Sequence, residues 1–396
     1  MEQEPKRLYL HKNRHKRLAS GHLWAFSNEV DTERSGLREF APGEVVDIHS
    51  SSGYFLARGY VNPHSLIAAR VLARSRERDV PDLLEHGLRS ALDLRRSLYA
   101  EPFYRLAFTE GDFLPGLIAD RFGENLVLQL NTAGMDRQRD SLLDILFSLL
   151  PLRGVVLRND TGSREQEGLP SVVETIGDPP EETVVREAGL EFLLPLRQGQ
   201  KTGWYFDQAP NRDYFSSLCY GGRVLDVFSY LGATTAVALN RGAEQVTAVD
   251  SSRPALEYLE HNLQRNCLPA DRARIIRGDA FAVLEDLIRE GLRFQAVSLD
   301  PPAFIKRKRD HSAGRRAYEK LNSLALDLIQ PGGFLMTCSC SQHLQLRELL
   351  DLLSRAARNK GREPRVLRFC HQGPDHPVHP AMPETEYLKG VVAQVL

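Results

Sequence analysis

The sequence GRVLDVFSYLGATT occupies residues Gly222–Thr235. It reads as an apolar strand, a turn and the start of a helix. Because it contains one turn glycine and lacks the spacing G-x-G-x-x-G, it is a weak dinucleotide fingerprint on its own. The next segment supports a nucleotide-binding role for this motif. Gln245–Val249 reads as a second strand that ends at Asp250, after which Ser251 and Ser252 can cap a helix. This alternation predicts βαβ units and a parallel sheet covered on both faces.

Acidic residues follow the predicted strands of this region where each strand ends. They are Asp226, Asp250, Asp279 and Asp300. Ligands of a parallel α/β sheet bind outside the carboxyl ends of its strands. A carboxylate there can accept hydrogen bonds from the vicinal hydroxyls of a ribose or from the amino group of an adenine. A helix-capping role is the alternative for Asp250, but acids at four successive strand ends indicate a cofactor that contains a nucleoside.

Residues Thr337–Gln342, TCSCSQ, place two of the five cysteines directly after the apolar strand Gly333–Met336. An odd number of cysteines with one close pair indicates neither a disulfide framework nor a four-ligand zinc site. We therefore expect these thiols to serve chemistry, with small buried packing residues as the alternative. The segment Asp300–Phe304, DPPAF, resembles the turn on which methyltransferases hold a nucleobase. Together the two motifs suggest methyl transfer to a carbon of a base.

Length and charge limit what else the chain can be. Its 396 residues are too many for one hydrophobic core and suggest two or three domains. The 51 basic and 52 acidic residues nearly cancel, so a basic surface for a polyanionic partner must be local. Two basic runs offer one, with a solvated face as the alternative reading. They contain Lys12, Arg14, Lys16 and Arg17, and Lys306, Arg307, Lys308 and Arg309.

Several features predict a cytoplasmic protein without a membrane segment or a metal. No apolar run approaches the roughly 18 to 20 residues of a membrane span, and the charged N-terminus lacks the apolar part of a signal peptide. The cysteine pattern fits a reducing compartment. His371, His376 and His379 occur in or near a proline-rich segment without the spacing of metal ligands, so we expect no metal.

Three regions of different pattern divide the chain. Residues 1–75 contain short predicted strands separated by Pro-Gly, Ser-Gly and Asn-Pro turns, which suits a small β-barrel. Residues 76–188 combine a predicted helix, Leu83–Leu98, with alternating segments, which suits a central α+β domain. In residues 189–396 strands alternate with helices, as in a Rossmann-like α/β domain.

The third region resembles class I S-adenosylmethionine-dependent methyltransferases. The whole chain is similar to bacterial large-subunit (23S) ribosomal RNA cytosine-5 methyltransferases with an N-terminal PUA domain and a central α+β domain. The residues that carry this resemblance are Leu8–Val30, Pro42–Leu72, Gly199–Gln208, Arg212, Asp226–Thr235, Asp250, Asp279, Asp300–Phe304 and Thr337–Ser341. It implies S-adenosyl-L-methionine as cofactor, and ribosomal RNA or a partly assembled large subunit as partner. A homodimer is left open, because no pattern decides it.

The resemblance also implies which residues form the sites. The implied cofactor-binding residues are Phe206, Gln208, Arg212, Asp226, Phe228, Ser229, Gly232, Asp250, Ser251, Asp279, Ala280 and Asp300. The first basic run belongs to the PUA module, which implies RNA binding. The second run follows the presumed active-site turn, and we assign it to RNA as well.

The chemistry of such an enzyme explains the need for a thiol. A thiolate that adds to carbon 6 of cytosine turns the ring into an enamine, whose carbon 5 can attack a methyl group. The family's nucleophile is the Cys of Thr-Cys-Ser, which corresponds to Cys338, and Cys340 is the alternative. Asp300 would hold N3 and the exocyclic amine. Many relatives have a further Cys for product release where this chain has Ala303, so release would use Cys340 or a water held by Asp300.

Two other functions remain open. One is methylation of a base nitrogen, since Asp-Pro-Pro followed by an aromatic residue also resembles the turn of amino-group methyltransferases. Those enzymes need no thiol, so Cys338 and Cys340 count against this reading. The other is a non-catalytic RNA-binding protein that retains the fold, and the presence of all four strand-end acids counts against it.

Overall fold

The structure is a computed structural model that describes residues 4–197, 199 and 202–396. Gln200 and Lys201, which belong to the motif predicted to lead onto the cofactor, lie outside the described residues. The chain forms two compact units. The first comprises Met1–Thr183, Pro195–Trp204 and Pro374–Glu386, and the second comprises Val184–Leu194, Tyr205–Gly373 and Tyr387–Leu396.

The first unit begins with a five-stranded sheet in the order β1-β3-β4-β5-β2. Its elements are β1 (Lys6–Tyr9), α1 (Lys16–Ala19), β2 (Trp24–Ala25), β3 (Glu44–His49), β4 (Phe55–Val61) and β5 (Ala69–Ala73). β1 pairs with β3 in parallel and the other pairs are antiparallel. Gly43 and Gly53 have φ angles of +78° and +85°, which glycine adopts readily, so the predicted Pro-Gly and Ser-Gly turns have the residue that they need. Leu8, Val46 and Val61 are fully buried in the core of this sheet.

The first unit also contains an α+β region with a second five-stranded sheet, in the order β10-β9-β8-β7-β6. Its elements are α2 (Val80–Leu98), β6 (Phe103–Phe108), β7 (Leu117–Phe122), β8 (Asn125–Leu130), α3 (Ala133–Arg137), α4 (Arg139–Leu149), β9 (Gly154–Asn159), α5 (Gly162–Gln166) and β10 (Val172–Gly177). Asp79 caps α2 by accepting a hydrogen bond of 2.9 Å from the Asp82 amide. Leu84, Leu88 and Leu92 recur at helical spacing and are buried in the core of this region.

Buried charges hold the segment Pro374–Glu386 in the first unit. Arg95 forms a bidentate pair with Asp112, at 2.5 and 2.7 Å, and donates to the carbonyl of Asp375 at 2.6 Å. The Asp375 carboxylate accepts from the Arg105 amide at 2.9 Å, and its other oxygen lies 2.8 Å from His376 Nδ1. These bonds satisfy groups that would otherwise be buried without partners.

The remaining elements form a hairpin and an α/β domain. They are β11 (Glu182–Glu187), β12 (Leu190–Pro195), α6 (Ala209–Ser216), β13 (Arg223–Val227), α7 (Ala233–Asn240), β14 (Gln245–Asp250), α8 (Arg253–Arg265), β15 (Ala273–Arg277), α9 (Ala280–Arg289), β16 (Phe294–Leu299), α10 (His311–Leu328), β17 (Ile329–Ser339), α11 (Leu346–Asn359), β18 (Pro364–His371) and β19 (Lys389–Val395). Seven strands form one sheet in the order β15-β14-β13-β16-β17-β19-β18. β13 to β17 are parallel, as the sequence predicted.

The sheet differs from the prediction at one side, where it is mixed and not wholly parallel. β19 pairs antiparallel with both β17 and β18, and β12 pairs with β11 in a separate hairpin. A parallel connection requires a crossover, usually a helix. In the connection between β18 and β19, the described helical structure is a single short 3₁₀ turn, Pro383–Thr385. The returning strand is therefore antiparallel.

Candidate active site

The carboxyl ends of the five parallel strands gather the predicted acids and thiols at one edge of the sheet. Asp226 is the penultimate residue of β13, and Asp250 is the last residue of β14. Asp279 lies two residues beyond the end of β15, Asp300 directly follows β16, and Cys340 directly follows β17. The prediction that the four acids share an edge is confirmed.

A strained loop connects β13 to α7 at this edge. Phe228 and Tyr230 have positive φ angles of 66° and 49°, and Gly232, before the first turn of α7, has +84°. A non-glycine residue in this region costs roughly 1 to 3 kcal/mol, and such residues concentrate at ligand sites. The loop is held because the amides of Phe228 and Ser229 both donate to the Val249 carbonyl, at 2.9 and 3.1 Å.

The Asp250 carboxylate ties this loop to the next helix. One oxygen accepts from the Tyr230 amide at 2.9 Å and the other from the Ser252 amide at 2.8 Å. The cap of α8 is Ser252, whose hydroxyl accepts from the Ala255 amide, so Asp250 holds the cap residue and does not cap the helix itself. A carboxylate offers about four lone-pair positions, so two remain for ribose hydroxyls. The neighbouring Ser251 is exposed.

Asp279 and Ala280 lie at the start of α9. Asp279 caps this helix by accepting a hydrogen bond of 3.1 Å from the Ala282 amide, and Ala280 is buried at the first helical position. One carboxylate oxygen of Asp279 is thus engaged in the fold. Asp279 is exposed near the carboxyl end of β15, where the sequence predicted contact with an adenine.

Asp226 is buried, with one oxygen bonded to the Thr235 hydroxyl at 2.7 Å. Burial raises the pKa of Asp226 to about 7, and the negative charge of Asp300 adds to the effect, whereas the bond from Thr235 opposes it. In the same loop the hydroxyl oxygen of Ser229 is buried and has no hydrogen-bond partner among the described residues. A buried polar atom in this position fits a bound cofactor that would satisfy it.

Gln208 is in direct contact with Asp300. It lies in the 3₁₀ turn Phe206–Gln208 before α6, and its Nε2 donates to Asp300 Oδ1 at 2.8 Å. Asn211 fixes the orientation of the Gln208 amide by donating to its Oε1 at 2.8 Å, and donates to the His371 carbonyl at 2.9 Å. Gln208 therefore positions the Asp300 carboxylate.

Arg212 and Phe206 hold the same segment in place. The Arg212 guanidinium is buried and forms a bidentate pair with Glu187, at 2.8 and 2.6 Å, and donates to the Tyr205 carbonyl at 2.9 Å. Phe206 is buried as well. The structure thus gives Arg212 a role in anchoring the turn, in addition to any contact with a cofactor that the sequence predicted.

Cys338 is enclosed in the sheet. It is 0% exposed and lies opposite Gly390 in β19, which in turn lies opposite Cys370 in β18. The neighbouring Cys370 thiol, burial and the charge of Asp300 raise the pKa of Cys338 well above its usual range. Since the thiolate is the nucleophile, each of these factors makes Cys338 less reactive.

Cys340 is partly exposed and lies one residue beyond β17. The residues on either side of it are fixed, because the hydroxyls of Ser339 and Ser341 lie 2.8 and 3.0 Å from the Tyr318 hydroxyl. Lys389, which is buried, donates to the Ser341 carbonyl at 2.7 Å. Sequence reasoning missed Lys389, since a single lysine at the start of an apolar strand carries no signal of its own.

The predicted RNA-binding residues differ in their surroundings. Lys12, Arg14 and Lys16 are exposed, as are Lys306, Arg307, Lys308 and Arg309. Arg17 is only partly exposed, and its guanidinium pairs with Glu29 at 2.9 Å and lies 4.4 Å from the centre of the Phe26 ring. Arg17 therefore serves the fold, and we expect it to contribute less to RNA binding than its neighbours.

Within the described part of the chain, no group of three or more His, Cys, Asp and Glu side chains could hold a metal ion. Of the helices in residues 4–197 and 202–396, none has both the length and the apolar character needed to cross a bilayer.

Comparison with known proteins relates both units to families. Residues 8–74 match the family described as PUA-like domain, and residues 168–391 match S-adenosylmethionine-dependent methyltransferase. Proteins named Ribosomal RNA large subunit methyltransferase I are similar over nearly the whole chain. The one from Serratia proteamaculans is 36% identical, covering 98% of this chain and 99% of the relative, and the one from Aeromonas hydrophila is 36% identical, covering 98% of both.

Solved structures show the same fold at lower identity. A SAM-dependent methyltransferase structure from Streptococcus mutans has a TM-score of 0.83 and 18% identity, covering 98% of this chain and 100% of that one. A methyltransferase complexed with SAH has a TM-score of 0.85 and 19% identity over the same shares. The PUA-like N-terminal domain and the Rossmann-like C-terminal fold predicted from the sequence are thus confirmed.

Proposed function

This chain belongs to the S-adenosylmethionine-dependent methyltransferases, in the family of the ribosomal RNA large subunit methyltransferase I proteins. We therefore propose that it methylates carbon 5 of a cytosine in large-subunit ribosomal RNA. The predicted cofactor, S-adenosylmethionine, is confirmed by this membership. The substrate class follows the names of the relatives. The choice of carbon 5 rests on the thiol at the edge of the sheet.

One observation carries the proposal: a partly exposed thiol, Cys340, lies at the ligand edge with Asp300 nearby. Burial is the main cause that raises the pKa of Tyr205, and the charges of Tyr230, Asp300 and Cys340 add to it, so these three groups lie near the Tyr205 hydroxyl. A methyltransferase that acts on a base nitrogen has no use for a thiol there. A covalent mechanism requires one.

We assign the nucleophile to Cys340 and not to Cys338, which the sequence favoured. Carbon 6 of a base must reach the sulfur, and Cys338 is 0% exposed between neighbouring strands. Its raised pKa also disfavours the thiolate. Cys340 lies beyond the strand end, in a loop held by Tyr318 and Lys389. Lys389 acts as a positioning residue through the Ser341 carbonyl.

The proposed reaction divides its steps among these residues. The bound cofactor supplies an electrophilic methyl group on its sulfonium. The Cys340 thiolate forms a bond to carbon 6 of the cytosine while Asp300, oriented by Gln208, holds N3 and the exocyclic amine. Carbon 5 would then take the methyl group as the bond between that methyl and the sulfonium sulfur breaks, which would leave the sulfur as a neutral thioether. A water held by Asp300 accepts the proton from carbon 5 and passes it to the solvent, and the bond from carbon 6 to sulfur breaks, which restores both the ring and the thiolate.

Covalent trapping tests the proposal. Large-subunit ribosomal RNA containing 5-fluorocytosine should form a denaturant-resistant adduct with the wild type and with Cys338→Ala, but none with Cys340→Ala. The exposed Cys267 provides the matched control, Cys267→Ala, which should behave as the wild type. Nuclease digestion of normal modified RNA should yield 5-methylcytosine.

Other outcomes decide against parts of the proposal. An adduct that survives in Cys340→Ala and disappears in Cys338→Ala would return the nucleophile to Cys338. Methyl groups found only on a base nitrogen, without any adduct, would exclude the cytosine-5 reaction. RNA binding without methyl transfer would identify the non-catalytic alternative.

A further inference from the structure

An exposed aromatic ring marks the turn between β3 and β4. Tyr54 is 78% exposed. The turn that presents it is well defined, because the Ser50 amide donates to the Tyr54 carbonyl and the Gly53 amide to the Ser50 carbonyl, both at 2.9 Å. A register shift where the strands approach the turn, between Ile48 and His49, changes the direction of the tip.

Arginine side chains lie over an aromatic row beside this turn. The rings of Tyr9, His49 and Phe55 follow one another at centroid distances of 5.4 and 6.0 Å. The Arg34 guanidinium lies 3.7 Å from the centre of the Tyr9 ring, and that of Arg76 lies 4.2 Å from the Phe55 ring. Arg34 also donates to the Ser51 carbonyl at 2.7 Å, and Arg76 to His49 Nε2 at 3.2 Å. Both guanidiniums are therefore held at the turn that presents Tyr54, Arg34 through Ser51 within the turn and Arg76 through His49 at its start.

The cluster carries excess positive charge. A hydrogen bond between Arg7 and the Tyr9 side chain raises the pKa of Arg7 and places another cation at the row. Asp47, which is buried, pairs with Arg58 at 3.0 Å and with Arg76 at 2.9 Å. The Asp47 carboxylate thus faces the cations Arg7, Arg58 and Arg76, and Arg34 adds a further cation over the Tyr9 ring.

We propose that the Tyr54 surface, formed by Tyr54, Arg34 and Arg76, binds an unpaired nucleotide of RNA, with the base stacked on Tyr54 and the adjacent phosphates on the arginines. This inference rests on the proposed function, which supplies RNA as the partner. Unpaired bases stack on exposed aromatic rings, and planar guanidiniums match phosphate oxygens with two donors. Arginines that are already fixed lose little side-chain entropy on binding. An acidic peptide could pair with the arginines, but it has no nucleobase to stack on the Tyr54 ring.

Binding of the full-length protein to a fluorescein-labelled single-stranded oligouridylate tests the surface. Tyr54→Ala should weaken binding roughly 5- to 150-fold, the range expected for loss of one base stack. Tyr220, which is 79% exposed in the second unit, provides the matched control Tyr220→Ala, and its affinity should equal that of the wild type. The bases of an A-form duplex are not available for stacking on Tyr54. Tyr54→Ala and the wild type should therefore bind such a duplex with equal affinity.

Lysine variants separate charge from planarity. The double variant Arg34→Lys with Arg76→Lys keeps both positive charges but loses the planar guanidiniums. The salt dependence of RNA binding should therefore persist, while the affinity for RNA falls. Unchanged oligouridylate affinity in both Tyr54→Ala and the lysine variant overturns the inference. An equal loss of affinity for the duplex overturns the stacking role, and equal effects on an acidic peptide and the RNA point to a protein partner instead.

Methyl transfer to ribosomal RNA distinguishes this inference from the proposed function. If the wild type methylates RNA but Tyr54→Ala has unaltered KM and kcat, the surface is not used while the function stands. If the wild type transfers no methyl group, the proposed function fails, and the oligouridylate comparison still decides whether the surface binds RNA. The expected result is a raised KM for RNA with kcat retained.

Discussion

At the scale of single residues, Asp226 is a carboxyl group whose surroundings favour its neutral form. Burial raises its pKa to about 7, compared with about 3.9 for an unperturbed Asp. The folded protein therefore holds this proton more tightly than the unfolded chain does. The stability that the proton contributes is complete below about pH 4 and is lost as the pH rises through 7.

The consequence is measurable in the protein without cofactor. Between about pH 4 and pH 7 this group alone should lower the free energy of unfolding by up to about 4 kcal/mol, because a change of one in pKa corresponds to about 1.36 kcal/mol. Asp226→Asn has no carboxyl group to titrate and should flatten the dependence. Urea unfolding of both proteins at several pH values gives the comparison. Parallel stability curves would show that Asp226 ionises normally.

At the scale of elements, the pairing of β17 with β19 depends on Gly390. A Cβ atom at this position would lie 2.6 Å from the Thr337 carbonyl oxygen and 2.7 Å from the Cys338 sulfur. The Cys338 thiol thus occupies the space over this glycine, and Cys370 lies opposite the glycine in β18. The strand can therefore take its place in the sheet only without a side chain here.

We expect Gly390→Ala to destabilise the protein by about 1 to 3 kcal/mol through overpacking. Adding Cys338→Ala should restore only part of the loss, because the contact with the Thr337 backbone remains. Gly162→Ala is the control, since nothing lies within 4 Å of the added Cβ in α5. Thermal unfolding monitored by circular dichroism gives the ranking, and a Gly390→Ala midpoint equal to that of the control would contradict the packing argument.

Local pattern explains which features of these elements could be predicted. The strand-end acids were found because each follows its own apolar run, and parallel strands end at a common edge. The burial of Cys338 was not found, because it depends on Gly390 and Cys370 in later strands. The role of Lys389 depends on a backbone carbonyl, which leaves no signature in the sequence. The pairing of Gln208 with Asp300 required the tertiary structure for the same reason.

At the scale of the whole molecule, nearly equal numbers of basic and acidic residues coexist with exposed basic runs. Replacing Lys12, Arg14 and Lys16 with Gln should reduce the slope of log affinity for RNA against log salt by about 0.7 to 0.9 per lost phosphate contact. Arg17→Gln should instead lower stability, because Glu29 loses its ion-pair partner and keeps only the hydrogen bond from the Phe26 amide.

Filter binding between low and physiological salt measures these slopes. A control variant replaces three exposed arginines that pair with acids on their own helices, and its slope should match that of the wild type. These residues are Arg89, Arg253 and Arg347. A slope unaffected by the loss of Lys12, Arg14 and Lys16 would show that this run is only a solvated face.

The strand order of the catalytic sheet has a consequence for biosynthesis. β19 lies between β17 and β18, although it follows both in the sequence. While the chain is being made, β18 has no neighbour to pair with until β19 has left the ribosome. The sheet edge that holds Cys340 also lacks Lys389 until then. The strands of the first five-stranded sheet can pair early, although its core also includes Met382, whereas the catalytic sheet is complete only once β19 has been made.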